Sequence, residues 1–453
     1  MATGGRRAEQ RWLSALPLPG LNGFLTSLAD AGREVWRGRR QPGRGGAGAA
    51  VRLCHELLST AGEASGMAIA REILDLYEAM GETEKQGFRA ALVAELGVDA
   101  GEIDRAARRF ASAPDPASLA ALGRAVEPRR QALFRRLNTA PGGTAALVRM
   151  RADLLAALKQ DPDLGFIEND LQHLLSSWFN RGFLELARID WDSPAAVLDK
   201  LIQHESVHAV AGWDDLRRRL ADDRRCFAFF HPALPRDPVI FVEVALVRGL
   251  AASVQPLLDP AAAPGDPATA DTAIFYSINN CHAGLRGISF GDFLIKQVVA
   301  ELQREWPALK RFATLSPIPG FGPWLAALRD PGAAAPLDAG TLAALEALDD
   351  PAWIDFDDRV DRLRPILLGL CARYLVPEKQ DAAALDPVAR FHLRNGARLE
   401  RINWLADRSP KGLQESAGLM VNYLYDPATI VANHEAYVRD HKVVAGRAVR
   451  ALL

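Results

Sequence analysis

A short glycine-containing turn is the feature of this sequence that most directly suggests ligand chemistry. Its residues are Gly284, Leu285, Arg286 and Gly287, and it lies between an apolar run over residues 272–278 and a segment of helical periodicity. The first backbone N–H groups of such a helix have no intrahelical partners and favour an anion, which glycines allow to come close. The turn therefore predicts a pyrophosphate site, although a tight strand-to-helix turn would use the same glycines.

The spacing after this turn resembles a capping box. Ser289 and Asp292 stand three residues apart, so we expect a helix to begin near Phe290. The sequence contains neither the G-x-G-x-x-G fingerprint nor a Walker loop, which argues against NAD and ATP as the bound phosphate compound.

Ser277 and His392 are the second set of residues suited to chemistry. An imidazole can transfer a proton near neutral pH, and a hydroxyl can hydrogen-bond a carboxylate or a carbonyl oxygen. A serine at a strand end is also often bonded to the backbone, and a histidine between Phe391 and Leu393 is often a core residue. Their types alone leave both interpretations open.

A third pattern, H-E-x-x-H, is formed by His204, Glu205 and His208 in a segment that we expect to be helical. Two histidines one turn apart can bind zinc while the glutamate activates water. No third ligand follows at a familiar spacing, and Gly212 interrupts the segment. We therefore expect no metal here, with zinc-dependent hydrolysis kept as an alternative.

The elements that must position these residues divide the chain into a helical first half and a mixed α/β second half. Residues 51–190 have helical periodicity, with one helix expected to start at Asp115 as its N-cap and another at Thr144. Past Trp191, the sequence CFAFFHPALPRDPVIFVEVALV predicts a hairpin, and RFHLRNGARLERINWLA and GLMVNYLY predict further strands. We expect an α+β chain with an arm over residues 1–48, a helical bundle over 49–190 and a mixed-sheet domain over 191–453.

Composition excludes several classes. The 453 residues include 54 Lys and Arg and 56 Asp and Glu, a net charge of −2, so no overall attraction to nucleic acid is expected. The four cysteines, Cys54, Cys226, Cys281 and Cys371, are far apart, which predicts neither disulfides nor a thiolate zinc site. No apolar run is long enough for a membrane span, and Asp30 and Glu34 interrupt the arginine-rich start, so cytoplasm is the expected location.

Several long motifs resemble those of the malonyl-CoA decarboxylases: AIFYSI, GLRGISFGDFLIKQVVAELQREWP, LSPIPGF, FHLRNGARLERINWLAD and SAGLMVNY. The resemblance covers roughly residues 225–425 and, more loosely, the helical half. It implies a helical oligomerisation domain followed by a GNAT-like mixed α/β catalytic domain, malonyl-CoA as substrate, no cofactor and a homotetramer. It also implies that the GLRG turn and the helix after it hold the CoA pyrophosphate.

Carried over by position, the catalytic residues of the family fall on Ser277 and His392, with Tyr423 as a supporting partner of the site. Its E-x-V-H motif matches residues 205–208, which makes His204 incidental. The acyl-CoA-lining segment of the family falls on Gly249, Leu250, Ala251, Ala252, Ser253, Val254 and Gln255. The chain ends in Ala-Leu-Leu and not in the peroxisomal S-K-L of some relatives.

The expected reaction is loss of CO₂ from a malonyl thioester, whose carbonyl accepts the electrons as an enolate. His392 would protonate the enolate carbon, and Ser277 would bond the carboxylate or the thioester oxygen. Two rivals remain: an acyl-CoA-dependent N-acetyltransferase with Glu243 as its base, and a non-catalytic acyl-CoA-binding sensor.

Overall fold

The computed structural model describes residues 46–288, 290, 294–330, 332 and 337–453. These residues form two compact units that are not contiguous in sequence. Unit 1 comprises Met1–Glu185, Phe229–Val239 and Asn280–Phe290, and unit 2 comprises Leu186–Ala228, Ile240–Asn279 and Gly291–Leu453. The domain boundary expected at residue 190 stays a prediction. Two short segments from the second half of the sequence, Phe229–Val239 and Asn280–Phe290, belong to unit 1. The expected arm up to residue 45 and the Ser289–Asp292 capping box lie outside the described residues.

Unit 1 is a bundle of amphipathic helices. Its core is formed by apolar side chains that recur at helical spacing, among them Leu133, Leu137, Leu147 and Leu171. Its α-helices are α1 (Ala47–Ser59), α2 (Glu63–Ala79), α3 (Glu82–Glu95), α4 (Ala100–Ser112), α5 (Pro116–Val126), α6 (Arg129–Asn138), α7 (Gly143–Ala157) and α8 (Gly165–Trp178).

Both helices singled out in this half are confirmed. Asp115 is the N-cap of α5, and its carboxylate accepts the amide of Ser118 at 2.6 Å, while Pro116 takes the first helical position. Helix α7 begins at Gly143 and buries Leu147, Met150 and Leu154 along one face. Local capping and periodicity suffice to define these elements.

Unit 2 is built on a mixed sheet of seven strands in the order β1-β2-β3-β4-β5-β9-β8. The strands are β1 (Glu185–Ile189), β2 (Arg224–Phe230), β3 (Ile240–Val247), β4 (Thr272–Asn280), β5 (Arg311–Thr314), β8 (Arg398–Asn403) and β9 (Met420–Leu424), with a separate pair β6 (Lys379–Gln380) and β7 (Ala383–Ala384). The helices are α9 (Ala195–His204), α10 (Trp213–Arg219), α11 (Gln255–Leu258), α12 (Leu294–Glu305), α13 (Phe321–Arg329), α14 (Ala339–Leu345), α15 (Asp357–Leu375), α16 (Pro387–Arg394), α17 (Pro410–Ser416), α18 (Ile430–Asp440) and α19 (Arg447–Arg450).

The parallel strands β4 and β5 pair over only part of their length. Their register ends at Phe275 opposite Thr314, yet β4 continues to Asn280. After Leu315 donates to the carbonyl of Phe275, the chain leaves β4, and Ser316 exchanges backbone hydrogen bonds with Val421 of β9. The end of β4 that carries Ser277 is therefore not paired with β5 in the described part of the chain.

Alternation along the strands assigns side chains to two faces of the sheet. Ile274 and Tyr276 join Ala313, Leu315 and Met420 in an apolar cluster on one face. Their neighbours Phe275, Ser277, Thr314, Ser316 and Tyr423 must lie on the opposite face, which we call the site face.

The expected fold class, an all-helical bundle followed by a GNAT-like mixed α/β domain, is confirmed, as is the hairpin of β2 and β3. Two local expectations are wrong. The sequence RFHLRNG forms the end of helix α16 and not a strand, and the H-E-x-x-H segment leaves the helix at its first histidine. Among the described residues, none of the helices is long and apolar enough to cross a membrane.

Candidate active site

Ser277 lies in a buried cluster with Glu205 and Asn279. Its hydroxyl donates to Oε2 of Glu205 at 2.7 Å and accepts from Nδ2 of Asn279 at 2.6 Å. The same Nδ2 atom lies 2.8 Å from Oε2 of Glu205. Ser277 and Asn279 are two residues apart on β4, so their side chains share the site face. Ser277 is 2 % exposed, which makes this a preorganised polar site in an apolar sheet.

Glu205 reaches Ser277 because helix α9 ends one residue earlier. His204 is the last residue of α9, and Glu205 has extended backbone angles of φ −68° and ψ 104°. Its other oxygen, Oε1, accepts the amides of Val207 and His208, each at 2.8 Å, and so closes a turn. The two histidines are therefore not one helical turn apart, which removes the geometric basis of the zinc hypothesis.

His392 lies on helix α16, whose start is well defined by sequence. Asp386 caps the helix by accepting the amides of Val388 and Ala389, each at 2.9 Å, and Pro387 follows at the first position. This Asp-Pro pair was the signal for a helix, and the apolar residues around His392 obscured it.

The His392 imidazole is packed against the site face. Its Nδ1 lies 2.7 Å from the hydroxyl of Tyr425, and its Nε2 lies 3.1 Å from Oγ of Ser316. Its ring stacks on Tyr423 with centroids 4.6 Å apart. Tyr423 therefore contacts His392 through its ring face, and its expected supporting role stays a prediction, whereas the hydrogen-bond partner is Tyr425, which sequence reasoning missed.

The hydrogen bonds around His392 accommodate a proton on Nε2. When Ser316 donates its hydroxyl proton to Oγ1 of Thr314, 2.8 Å away, its oxygen accepts from Nε2–H of His392, and Nδ1 then accepts from the hydroxyl of Tyr425. Burial lowers the pKa of His392 to about 3, so the ring is neutral at physiological pH. The neutral imidazole is thus the resting form.

Ser277 and His392 occupy the same face of the sheet. Strand alternation puts Ser277 on the same face as Thr314 and as Ser316, the partner of His392. Asn279 and Ser316 were missed by sequence reasoning. Their spacing of two from Ser277 and Thr314 along the strands was the available signal.

The segment over residues 249–255 makes its described hydrogen bonds with residues other than Ser277 and His392. The carbonyls of Leu250 and Ala251 accept from Nη2 of Arg401 at 3.2 and 3.1 Å. Val254 packs in the apolar cluster on the face opposite Ser277, and its amide donates to Ala406. Ser253 and Gln255 hydrogen-bond one another at 2.6 Å. The acyl-CoA-lining role of this segment, with Gly249 and Ala252, stays a prediction.

Within unit 1, the GLRG turn contacts helix α7. A Cβ on Gly284 would stand 1.8 Å from the carbonyl oxygen of Val148, and the carbonyl of Gly284 accepts from Arg151 at 2.6 Å. Leu285 is fully buried. Close helix contact thus accounts for Gly284, whereas Gly287 has φ +77° and is exposed with Arg286. The pyrophosphate role of the turn stays a prediction.

Glu243, the base required by an acetyltransferase, is held in an ion pair. Its Oε2 lies 3.1 Å from Nη1 of Arg219, and the side chain is 1 % exposed. Burial, and then the neighbouring charge of Glu205, raise the pKa of Glu243 to about 8. In the part of the chain that the structure describes, no group of three or more His, Cys, Asp or Glu side chains is arranged to hold a metal ion.

Comparison with known proteins agrees with this geometry. The family model described as malonyl-CoA decarboxylase C-terminal domain matches residues 182–453, and the one described as malonyl-CoA decarboxylase N-terminal domain matches residues 96–179. The mitochondrial malonyl-CoA decarboxylase of Anser anser anser is 39% identical over 346 residues, which are 71% of this chain and 69% of that protein. The mitochondrial enzyme of Rattus norvegicus is 38% identical over 353 residues, 73% of this chain and 72% of its own length.

Solved structures of malonyl-CoA decarboxylases also match this chain. The malonyl-CoA decarboxylase of Rhodopseudomonas palustris superposes with a TM-score of 0.87 at 51% identity, covering 90% of this chain and 100% of that one. That of Agrobacterium vitis gives a TM-score of 0.84 at 52% identity, covering 89% and 99% of the two chains. The resemblance seen in the sequence motifs is confirmed, and the chain belongs to the malonyl-CoA decarboxylase family.

Proposed function

We propose that this protein converts malonyl-CoA to acetyl-CoA and CO₂. The observation that carries the proposal is the paired arrangement on the site face: a hydroxyl cluster at Ser277 and a buried, neutral imidazole at His392. Family membership supplies the substrate. A malonyl thioester needs no external electron acceptor, since its own carbonyl takes the electron pair of the breaking C–C bond.

His392 is proposed as the proton donor to the enolate carbon. The enolate carbon takes the place of Ser316 as partner of Nε2 and receives the Nε2 proton, while the Tyr425 hydroxyl gives its proton to Nδ1. After product release, a proton from solvent returns to Nε2, and the Tyr425 phenolate takes its own proton back from Nδ1. A neutral donor suffices because a thioester α-C–H is a far weaker acid than a phenol or an imidazole N–H. Tyr423, which is buried and stacks on the ring, helps to keep water from the enolate.

The test is release of CO₂ from malonyl-CoA alone, with a metal chelator and without any acceptor amine. We expect turnover that His392→Asn reduces by about 10²- to 10⁴-fold, the usual contribution of a positioned acid. His434→Asn is the matched control, because His434 contacts only a backbone carbonyl, that of Arg394, in its described hydrogen bonds. Wild-type turnover by the His392 variant would refute the assigned role, and CoA binding without CO₂ release would favour the sensor.

A homotetramer and a cytoplasmic location are part of the proposal. Helix α4, all of whose residues are described, buries none of them in this chain, and Leu119 and Val126 of the neighbouring α5 are 55 % and 49 % exposed. Such apolar surface favours subunit contacts. Light scattering of the purified protein tests the tetramer, and fractionation of the producing cells tests the location.

A further inference from the structure

Glu205 places a carboxylate directly against Ser277. It accepts four hydrogen bonds in the described structure: Oε1 from the amides of Val207 and His208, and Oε2 from Ser277 and Asn279, at distances of 2.7 to 2.8 Å. Three of the four donors are amide N–H groups, which can only donate, so both oxygens of Glu205 act as acceptors, as they do in a carboxylate. With an exposed fraction of 6 %, Glu205 is a fixed and little-solvated carboxylate.

This arrangement determines what Ser277 can offer a substrate. A hydroxyl has one proton, and that of Ser277 goes to Glu205 at 2.7 Å. Asn279 Nδ2 occupies one of the lone pairs of Oγ at 2.6 Å. Ser277 is therefore left with an acceptor and no donor. That is at odds with the expectation that it donates to the malonyl carboxylate or to the thioester oxygen.

Neighbouring groups hold this orientation in place. The amide and the hydroxyl of Ser206 both donate to Oδ1 of Asn279, at 3.0 and 2.7 Å, so its Nδ2 must face Glu205 and Ser277. Lys411 donates to the carbonyls of Ser206 and Val207, at 2.7 and 3.2 Å, and clamps the turn that carries Glu205. The direction of the Ser277 hydroxyl is thus set before any substrate binds.

The proposed decarboxylation explains why the Ser277 hydroxyl would point away from the substrate. Loss of CO₂ turns a carboxylate into a neutral molecule and moves its charge to the thioester oxygen, so donors to the carboxylate would stabilise the starting state and slow the reaction. We propose that Glu205 is a positioning residue that keeps the Ser277 proton away from the substrate carboxylate and opposes that carboxylate with its own charge. This inference rests on the proposed function, which puts the malonyl group beside Ser277.

Glu205→Gln tests the proposal through both kinetics and binding. We expect kcat to fall by about tenfold or more and KM for malonyl-CoA to fall as well, the signature of removed ground-state destabilisation. Calorimetry with S-carboxymethyl-CoA, which carries a carboxylate, and S-ethyl-CoA, which does not, separates the charge effect. The variant should bind the first about tenfold more tightly and the second unchanged, as expected for a nearby unit charge. Glu435→Gln, an exposed position on α18, is the matched control and should change neither.

A second variant makes the test independent of the folding of Glu205→Gln. If Ser277 donates nothing to the carboxylate, Ser277→Ala keeps the affinity for S-carboxymethyl-CoA within about twofold, whereas loss of a donor to a charged group costs about tenfold or more. Weaker binding by Ser277→Ala, or a raised KM in a folded Glu205→Gln protein, would overturn the inference and leave the decarboxylase assignment intact. Failure of the wild-type protein both to bind the two analogues and to release CO₂ would overturn both.

Discussion

Tyr425→Phe removes the hydrogen bond between the Tyr425 hydroxyl and His392, which lies at the centre of the proposed proton path. The bond is 2.7 Å long, between the Tyr425 hydroxyl and Nδ1 of a His392 ring that is 2 % exposed. Phenylalanine keeps the aromatic ring, so no large cavity forms. The imidazole nitrogen is left unsatisfied, which should lower the free energy of unfolding by about 1–3 kcal/mol. The proton donor loses both its orientation and its resupply, so kcat should fall about 10- to 100-fold.

The assay pairs CO₂ release under saturating malonyl-CoA with denaturant unfolding of the same preparations. Tyr423→Phe is a matched control, because Tyr423 contacts His392 through its ring face at 4.6 Å and that stacking survives loss of the hydroxyl. The reasoning is refuted if Tyr425→Phe keeps wild-type kcat, or if Tyr423→Phe loses as much activity as Tyr425→Phe.

Three further predictions concern stability. Burial lowers the pKa of His392 from 6.5 to about 3, so below pH 6.5 the unfolded chain binds a proton that the folded chain does not. The free energy of unfolding should therefore fall by about 1.4 kcal/mol per pH unit between pH 6.5 and pH 3 because of this residue. His392→Gln should remove that component from unfolding curves measured across pH. Gly284→Ala forces a Cβ to 1.8 Å from the carbonyl oxygen of Val148 and should lower the free energy of unfolding, measured by thermal unfolding, by about 3 kcal/mol or more. Gly123→Ala on α5, with no atom within 4 Å of the new Cβ, should raise it by up to about 1 kcal/mol. Equal effects of the two substitutions would contradict the packing argument. Asp386→Ala removes the N-cap of α16 and should lower the free energy of unfolding by about 2 kcal/mol. It should also loosen the position of His392, so that both the unfolding midpoint and kcat fall. An unchanged midpoint would show that the cap is dispensable.

Local signals predicted much of the fold. The β-branched and aromatic run of β4, the Pro-rich turn between β2 and β3 and the Asp115 cap each specify one element with little help from the rest of the chain. Helix α16 was misassigned because its eight residues carry apolar side chains that also suit a strand, and only its Asp386-Pro387 start separates the two.

The site was harder to predict because its contacts join distant positions. Glu205 and Ser277 are 72 residues apart, and His392 and Tyr425 are 33 apart, and no local pattern specifies either pair. Tyr423 and Tyr425 share one face of β9, so sequence indicates that a tyrosine meets His392 but not which of them supplies the hydroxyl. That choice depends on the height of α16 along the strand, which tertiary packing sets.

The interleaved sequence of the two units has a practical consequence for anyone dissecting this protein. The chain passes from one unit to the other five times, so no single cut separates them. A fragment ending near residue 190 would lack buried Leu285 and the Gly284 carbonyl that accepts from Nη1 of Arg151, and would leave Arg151 with Glu168 as its described partner. Expression of the first half alone should therefore give a partly folded, aggregation-prone product. Chimeras between relatives should exchange all three segments of unit 1 together.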